Sequence, residues 1–324
     1  MKGLHTTRYL LPIALTLFTL LLSPHALAKA GHISQYQVSN GPYYITTGPD
    51  GNLWFTAGGS SSYSQIGKIT PDGHTSPIRY IIPTPDSFPA GITTGPDGNL
   101  WFTEYGTNKI GKMTINGQFT EYDLHSASGP WEITRGPDGN LWFTEFSLHQ
   151  IGKITPDGQI TEYPIPGNAA WGITSGPDGN LWFTQPGGSG DQVGKITPTG
   201  LVTLYPLPTH GGGLGDITTG PDGNLWFVES QINQIGRITP NGQISAFPIP
   251  TPGSTPLGIT GGSDGNVWFT ENTAVRIGRI TPQGKITEYR IMRAGPPAFI
   301  TPGPDGNLWF TEPSAERIGK ISTT

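Results

Sequence analysis

The sequence contains no cysteine in its 324 residues. That absence removes disulfides, thiolate catalysis and a lipid-bearing N-terminal cysteine, and leaves packing alone to hold the fold. None of the 18 Lys and Arg residues forms a run, and the formal net charge is −5. The basic face that a nucleic-acid partner needs is therefore missing. Long apolar runs are missing too, apart from Leu10 to Leu22, which spans 13 residues. A membrane-spanning helix takes about 20. Lys2 and Arg8 precede the end of this run, and Ala26-Leu27-Ala28 supplies a small-x-small cleavage site. Residues 1–28 thus read as a cleaved export signal, which makes residues 29–324 a secreted or extracytoplasmic chain with no membrane span.

What fills that chain is repetition. Its fullest spelling is Gly-Ile-Thr-x-Gly-Pro-Asp-Gly-Asn-Leu-Trp-Phe-Thr-Glu, then Ile-Gly-Lys-Ile-Thr-Pro-Asp-Gly, then Ile-Thr-Glu-Tyr-Pro-Ile-Pro. The motif tryptophans Trp54, Trp101, Trp142, Trp182, Trp226, Trp268 and Trp309 are spaced by 47, 41, 40, 44, 42 and 41 residues. A period near 42 is one propeller blade. Gly-Ile-Thr reads as the inner strand, Asn-Leu-Trp-Phe-Thr-Glu as the second and Ile-Gly-Lys-Ile-Thr as the third. Ile-Thr-Glu-Tyr-Pro-Ile is the outer strand, where an edge position tolerates proline. The expected fold is all-β, a single seven-bladed propeller of four-stranded blades over residues 29–324.

The seventh repeat stops at its third strand, while His32 to Val38 matches the outer-strand pattern of Gln159 to Ile165. The N-terminal segment is therefore expected to supply the missing outer strand and close the ring. Lys68, Lys112, Lys153, Lys195, Arg237, Arg279 and Lys320 recur at one third-strand position and belong to the scaffold.

A propeller is nearly symmetric and a ligand is not, so functional residues are those that break the repeat at one mouth of the channel. The position after the inner-strand proline holds Tyr43, Ala90, Trp131, Trp171, Gly215, Leu257 and Ala298. Tyr43, Trp131 and Trp171 form a prospective flat-faced surface for planar groups. The next position holds Tyr44, Glu132, Asp216 and Phe299 among glycines. Glu132 and Asp216 are candidates for a relocated acid-base or metal site, with channel plugging as the alternative. Glutamates ending the second strand (Glu104, Glu145, Glu229, Glu271, Glu312) either hold a hard cation through oxygen ligands or bond backbone amides in each blade. The loops Gly58 to Ser64 and Pro186 to Asp191 depart from the repeat and are flexible by composition. His125, His149 and His210 read as solvated loop residues.

The wording of the repeat, with Gly-Pro-Tyr43-Tyr44-Ile-Thr, Leu-Trp-Phe-Thr-Glu, Ile-Gly-Arg-Ile-Thr and Ile-Thr-Glu-Tyr-Pro-Ile-Pro, resembles the virginiamycin B lyase (streptogramin lyase) family. The resemblance runs from about Ile33 to Ser322. It implies a seven-bladed propeller whose members open cyclic streptogramin B antibiotics by elimination across an ester, with a magnesium ion and a histidine base. It also implies a substrate histidine at the position of Leu257, a metal glutamate at Pro296, the base at Ala298 and a further metal glutamate matched by Glu312 across a one-residue gap. Glu271 is the other rim carboxylate named for a metal. No histidine or carboxylate lies in residues 251–260 or 292–301.

A positioned base contributes about 10² to 10⁴ in rate, and a metal that polarises the carbonyl adds several kcal/mol. The expectation is accordingly a non-catalytic propeller that binds a small molecule, glycan or peptide at its aromatic mouth, as a monomer without a firm cofactor. A magnesium-dependent carbon-oxygen lyase or hydrolase with a relocated site, and a structural cell-surface module, are the other classes that the sequence leaves open.

Overall fold

The computed structural model describes Gly3 and residues 30–324, except residues 59–62, 77, 126, 188–189, 210 and 293–294. The segment expected to be an export signal, apart from Gly3, and His210 lie outside the described residues. The sequence motif becomes structure through its turn. In Gly-Pro-Asp-Gly-Asn-Leu-Trp, the Asp50 carboxylate accepts the Trp54 indole N–H at 2.9 Å, the Asn52 backbone N–H at 3.2 Å and its amide at 2.8 Å. Burial pushes Asp50 up, yet the hydrogen bonds from Trp54 and Asn52 hold it below its ordinary value. Gly48 is obligatory there, since a Cβ would lie 2.3 Å from the Trp54 ring. All seven motif tryptophans are fully buried between blades.

Seven antiparallel four-stranded sheets result. Blade 1 holds β2 (Pro42–Thr47), β3 (Leu53–Ala57), β4 (Gln65–Ile69) and the short β5 (Tyr80–Ile81). Blade 2 runs from β6 (Pro89–Thr94) through β7 (Leu100–Glu104) and β8 (Lys109–Met113) to β9 (Phe119–Asp123). Blade 3 comprises β10 (Pro130–Arg135), β11 (Leu141–Glu145), β12 (Gln150–Ile154) and β13 (Ile160–Pro164). In blade 4 the strands are β14 (Ile173–Ser175), β15 (Leu181–Gln185), β16 (Gln192–Ile196) and β17 (Val202–Pro206). Blade 5 has β18 (Leu214–Thr219), β19 (Leu225–Glu229), β20 (Gln234–Ile238) and β21 (Ile244–Pro248), and blade 6 β22 (Pro256–Gly261), β23 (Val267–Glu271), β24 (Arg276–Ile280) and β25 (Ile286–Arg290).

Blade 7 takes β26 (Ile300–Pro302), β27 (Leu308–Glu312) and β28 (Arg317–Ile321) from the C-terminal repeat and its outer strand, β1 (Ile33–Gln37), from the N-terminal segment. The register runs from Ile33 opposite Ile321 to Gln37 opposite Arg317. The closing strand is therefore the one that the repeat pattern calls for. Even the hairpin glycine is replaced from the other end. Gly31 has φ 88° and donates to the Ser322 carbonyl at 2.9 Å, as Gly158, with φ 89°, donates to Thr155 within blade 3.

Adjacent blades are tied by the second-strand threonine, which donates to a carbonyl of the next inner strand: Thr56 to Ala90, Thr103 to Trp131, Thr144 to Trp171, and Thr311 to Tyr43 across the closure. Blade 5 has Val228 at this position, which gives up that donor. Among the described residues no helix is long and apolar enough to cross a membrane.

Candidate functional site

The inner strands carry a β-bulge where they approach the mouth. In blade 3, Pro130 pairs with Glu145 and Ile133 with Phe143, so Trp131 and Glu132 together face Thr144. A bulge re-aims side chains and leaves an extra N–H to satisfy. Here the Glu132 N–H donates to the Thr144 hydroxyl at 3.1 Å. Equivalent shifts occur at residues 43–44, 90–91, 215–216 and 257–258. The bulge thus sorts the symmetry-breaking residues into two tiers.

The upper tier is the mouth. A cavity of about 720 Å³ lies over blades 7, 1, 2 and 3, lined by Tyr43, Phe88, Ala90, Tyr105, Trp131 and Pro313 among others. That volume falls in the range of about 300–1,000 Å³ typical of small-molecule sites. Tyr43 meets Trp131 edge-on, with centroids 6.0 Å apart and planes at 79°, and Tyr105 does so from the other side at 5.5 Å and 87°. The rings make a walled cleft, which corrects the expected flat face. Trp171 packs behind Trp131 at 4.8 Å and is itself backed by Phe146 at 5.6 Å. It supports the wall and does not line the cavity.

Phe88 and Tyr105 were missed in the sequence. Phe88 is 57% exposed and adopts φ 43°. Tyr105 follows Glu104 directly, where the other blades hold Gly58, Phe146, Pro186, Ser230, Asn272 and Pro313. Extending the search for broken repeats by one residue past the second strand would have found Tyr105.

The lower tier fills the channel. Large residues and glycines alternate around it as Tyr44, Gly91, Glu132, Gly172, Asp216, Gly258 and Phe299. A Cβ on Gly91 would lie 2.9 Å from the Glu132 Cα, so glycine lets the neighbouring inner strand approach. An odd number of blades leaves two large residues adjacent. Tyr44 and Phe299 accordingly stack at 3.5 Å with 19° between planes. Tyr44, expected at the mouth, is 6% exposed and lines a second cavity of about 200 Å³ with Glu132, Asp216 and threonines of the inner strands.

Asp216 accepts the backbone N–H of Ile217 at 2.7 Å and of Ile259 at 2.9 Å. Burial still pushes its carboxyl up to about 7. Glu132 is pushed well above its usual value by burial, then by the charge of Asp216, which lies within hydrogen-bonding reach. Glu132 keeps a strip of surface on the channel, although protein surrounds it. The plugging alternative and the polar-site alternative therefore coincide in one tier.

The rim glutamates point elsewhere. Glu104, Glu145, Glu229, Glu271 and Glu312 are buried at the far ends of the second strands. Burial, then Glu288 beside it, pushes Glu271 up to about 8; burial, then Glu121 and Glu162 respectively, pushes Glu104 and Glu145 up to about 7. Glu104, Glu229 and Glu312 have side-chain partners, not the backbone amides expected, while both oxygens of Glu145 and of Glu271 are buried without a hydrogen-bond partner among the described residues. Thr107 donates to Glu104 at 3.0 Å, and Gln35 donates to both oxygens of Glu312 at 2.9 and 2.7 Å. Asp191 is also buried, and accepts the N–H groups of Gly187 and Gly212, so Gly187 and Asp191 in the blade-four loop are tied together. His125 and His149 are exposed.

A magnesium ion does not fit the place where the resemblance implies one. Leu257 and Pro296 are half-buried and apolar, Ala298 is 2% exposed, and Glu312 is engaged by Gln35. Among the described residues, no three His, Asp or Glu side chains gather as metal ligands.

A sequence model of the virginiamycin B lyase family matches residues 31–251 and 124–324. Among solved structures, a streptogramin B lyase is 41% identical, with 90% of this chain and 98% of that chain covered and a TM-score of 0.84. Virginiamycin B lyase from Staphylococcus aureus is 39% identical over 90% of this chain and 99% of its own, with a TM-score of 0.84. A catalytically inactive histidine-to-alanine variant of the S. aureus enzyme, solved with quinupristin, is 39% identical, covers 90% and 99%, and has a TM-score of 0.83. Among curated proteins no match is found.

Proposed function

The chain belongs to the virginiamycin B lyase family, and from that premise we propose that it is an exported binding propeller that holds an apolar, ring-bearing small molecule in its mouth without cleaving it. The observation that carries this reading is the cavity of about 720 Å³ walled by Tyr43, Trp131, Tyr105 and Phe88. Aromatic contacts add about 0.5–1.5 kcal/mol each beyond area burial, and exposed rings already fixed edge-to-face lose little entropy on binding.

The absence of cleavage rests on chemistry. Proton abstraction next to a carbonyl needs a base within about 3 Å of that proton, and Leu257, Pro296 and Ala298 carry no titratable atom. Glu132 and Asp216 line the lower cavity, so a molecule seated in the mouth does not meet them. A streptogramin B antibiotic such as quinupristin is the first ligand to test, because relatives of this chain are named for acting on it or were solved with it. Saturable quenching of tryptophan fluorescence, with the ring intact by chromatography and mass, is the expected result. Ring opening would overturn the non-catalytic reading, and no binding of this or other aromatic cyclic peptides would overturn the mouth as a site.

A further inference from the structure

The lower cavity poses a separate problem of charge, independent of what the mouth binds. Glu132 and Asp216 converge from blades 3 and 5, and no Lys, Arg or His lines the cavity with them. Keeping both carboxyl groups ionised in low dielectric without a cation is costly. Asp216 is satisfied by two backbone N–H groups, which fixes its position. Glu132 is held less fully: the Ile173 N–H and the Asp216 carboxyl act on it, yet its Oε2 is buried without a hydrogen-bond partner among the described residues. Tyr44, 6% exposed, lines the same cavity, and its hydroxyl is also unpartnered. The Trp131 indole N–H comes near that hydroxyl without reaching hydrogen-bond geometry and is itself unpartnered. Below them stand Thr46, Thr134, Thr174, Thr218, Thr260 and Thr301, one from each of six blades.

We infer that the lower channel is a binding site for a single hard divalent cation of the calcium type, held by the carboxylates of Glu132 and Asp216 and the hydroxyl of Tyr44, with water completing its shell. The donor set is all oxygen, and the two carboxylates offer the charge that the ion needs. Calcium accepts irregular geometry and six to eight ligands, and the cavity of about 200 Å³ leaves room for several waters, each about 30 Å³. The threonine hydroxyls supply hydrogen bonds to those waters and an oxygen-lined path from the turn face. Tyr44 stacks on Phe299, so its hydroxyl is held in place before the ion arrives. The site spans blades 1, 3 and 5, and an ion there would tie three blades at the axis.

The test uses the whole mature chain and terbium, an oxygen-seeking calcium substitute whose luminescence is sensitised by nearby tyrosine and tryptophan. Saturable luminescence with a stoichiometry of one, displaced by calcium, is expected. Glu132→Gln keeps shape and removes charge, and it should weaken binding about tenfold or more. Asp216→Asn is avoided because its amide would face a backbone N–H. Tyr44→Phe keeps the stack on Phe299 and should weaken binding severalfold; circular dichroism on both variants establishes that they fold. No saturable signal up to millimolar terbium, or a signal indifferent to both substitutions, would overturn the inference. Should Glu132→Gln fail to fold, an unchanged affinity in Tyr44→Phe would do so alone.

Discussion

Tyr36 stacks on Trp309 with centroids 5.6 Å apart and 21° between planes, although the two residues come from opposite ends of the chain. The same contact recurs inside single blades as Trp101 on Tyr122, Trp142 on Tyr163, Trp182 on Tyr205 and Trp268 on Tyr289. Lys320 lies over both rings at 5.9 and 5.0 Å, as Lys153 does at 5.4 and 5.2 Å over Tyr163 and Trp142. The closing strand thus reproduces the interior chemistry of an ordinary blade.

Deletion of residues 31–38 should for that reason be severe. It removes the pairing of β1 with β28, strips Tyr36 from Trp309 and takes Gln35 from the buried Glu312. At roughly 1.5–3 kcal/mol for each large apolar side chain, the loss is comparable with the net stability of many domains. Thermal unfolding and light scattering are the measurements: a lower midpoint with aggregation along the bared β28 edge is expected. An unchanged midpoint would contradict the structural role of β1.

At the mouth, Trp131→Ala should weaken a bound ring-bearing ligand by about tenfold or more, since it removes the central wall between Tyr43 and Tyr105. Trp171→Ala should cost less, because Trp171 only backs Trp131. Titration calorimetry on the two variants separates them. Equal losses would mean that Trp171 touches the ligand directly.

Stability should fall as pH rises through the neutral range. Glu104 and Glu145 titrate near 7 and Glu271 near 8 in the folded chain, against an ordinary 4.5. The folded state therefore holds protons that the unfolded chain has released, and stability that is complete below about 4.5 is lost through 7 to 8. The melting midpoint should be higher at pH 5 than at pH 9. Glu271→Gln should flatten that fall and raise the midpoint at pH 9, by about 2–4 °C for each kcal/mol recovered. Asp50 and its counterparts Asp97, Asp138, Asp178, Asp222 and Asp305 are lowered and act with opposite sign, so stability should also drop in strong acid. A midpoint that is flat from pH 5 to 9 would refute the buried carboxyl pairs.

The proposed export predicts a mature protein that begins at Lys29, or else at Gly31 after Ala28-Lys29-Ala30. Intact mass of protein recovered from the medium or envelope checks it, and a mass that includes Met1 to Ala28 would refute it.

Much of this architecture was legible because it is written seven times. The Asp50-Asn52-Trp54 turn and the stacked outer-strand tyrosine are local or nearly local, so period and composition carry them. The closing strand was legible for the same reason, since Tyr36 occupies the slot of Tyr163. The candidate site was only half legible. Sequence singled out Trp131 and Glu132 as departures from the repeat, but not that a bulge would send one to the mouth and the other to the channel. Nor did it reveal that Trp171 would stand behind Trp131, or that Glu271 would turn towards Glu288, because those outcomes depend on packing between strands far apart in sequence.

The hydrogen bond from Gly31 to Ser322 has one more consequence. It lies where the other blades have the hairpin between third and outer strands, so the ring closes within a turn and not between blades. A peptide link joining these positions, with new ends opened in the Pro156-Asp157-Gly158 hairpin, would preserve the cyclic order of all seven sheets. The ring has no intrinsic first blade. A circularly permuted chain should reach the same native state, with blade 3 then fastened by the two ends and blade 7 continuous.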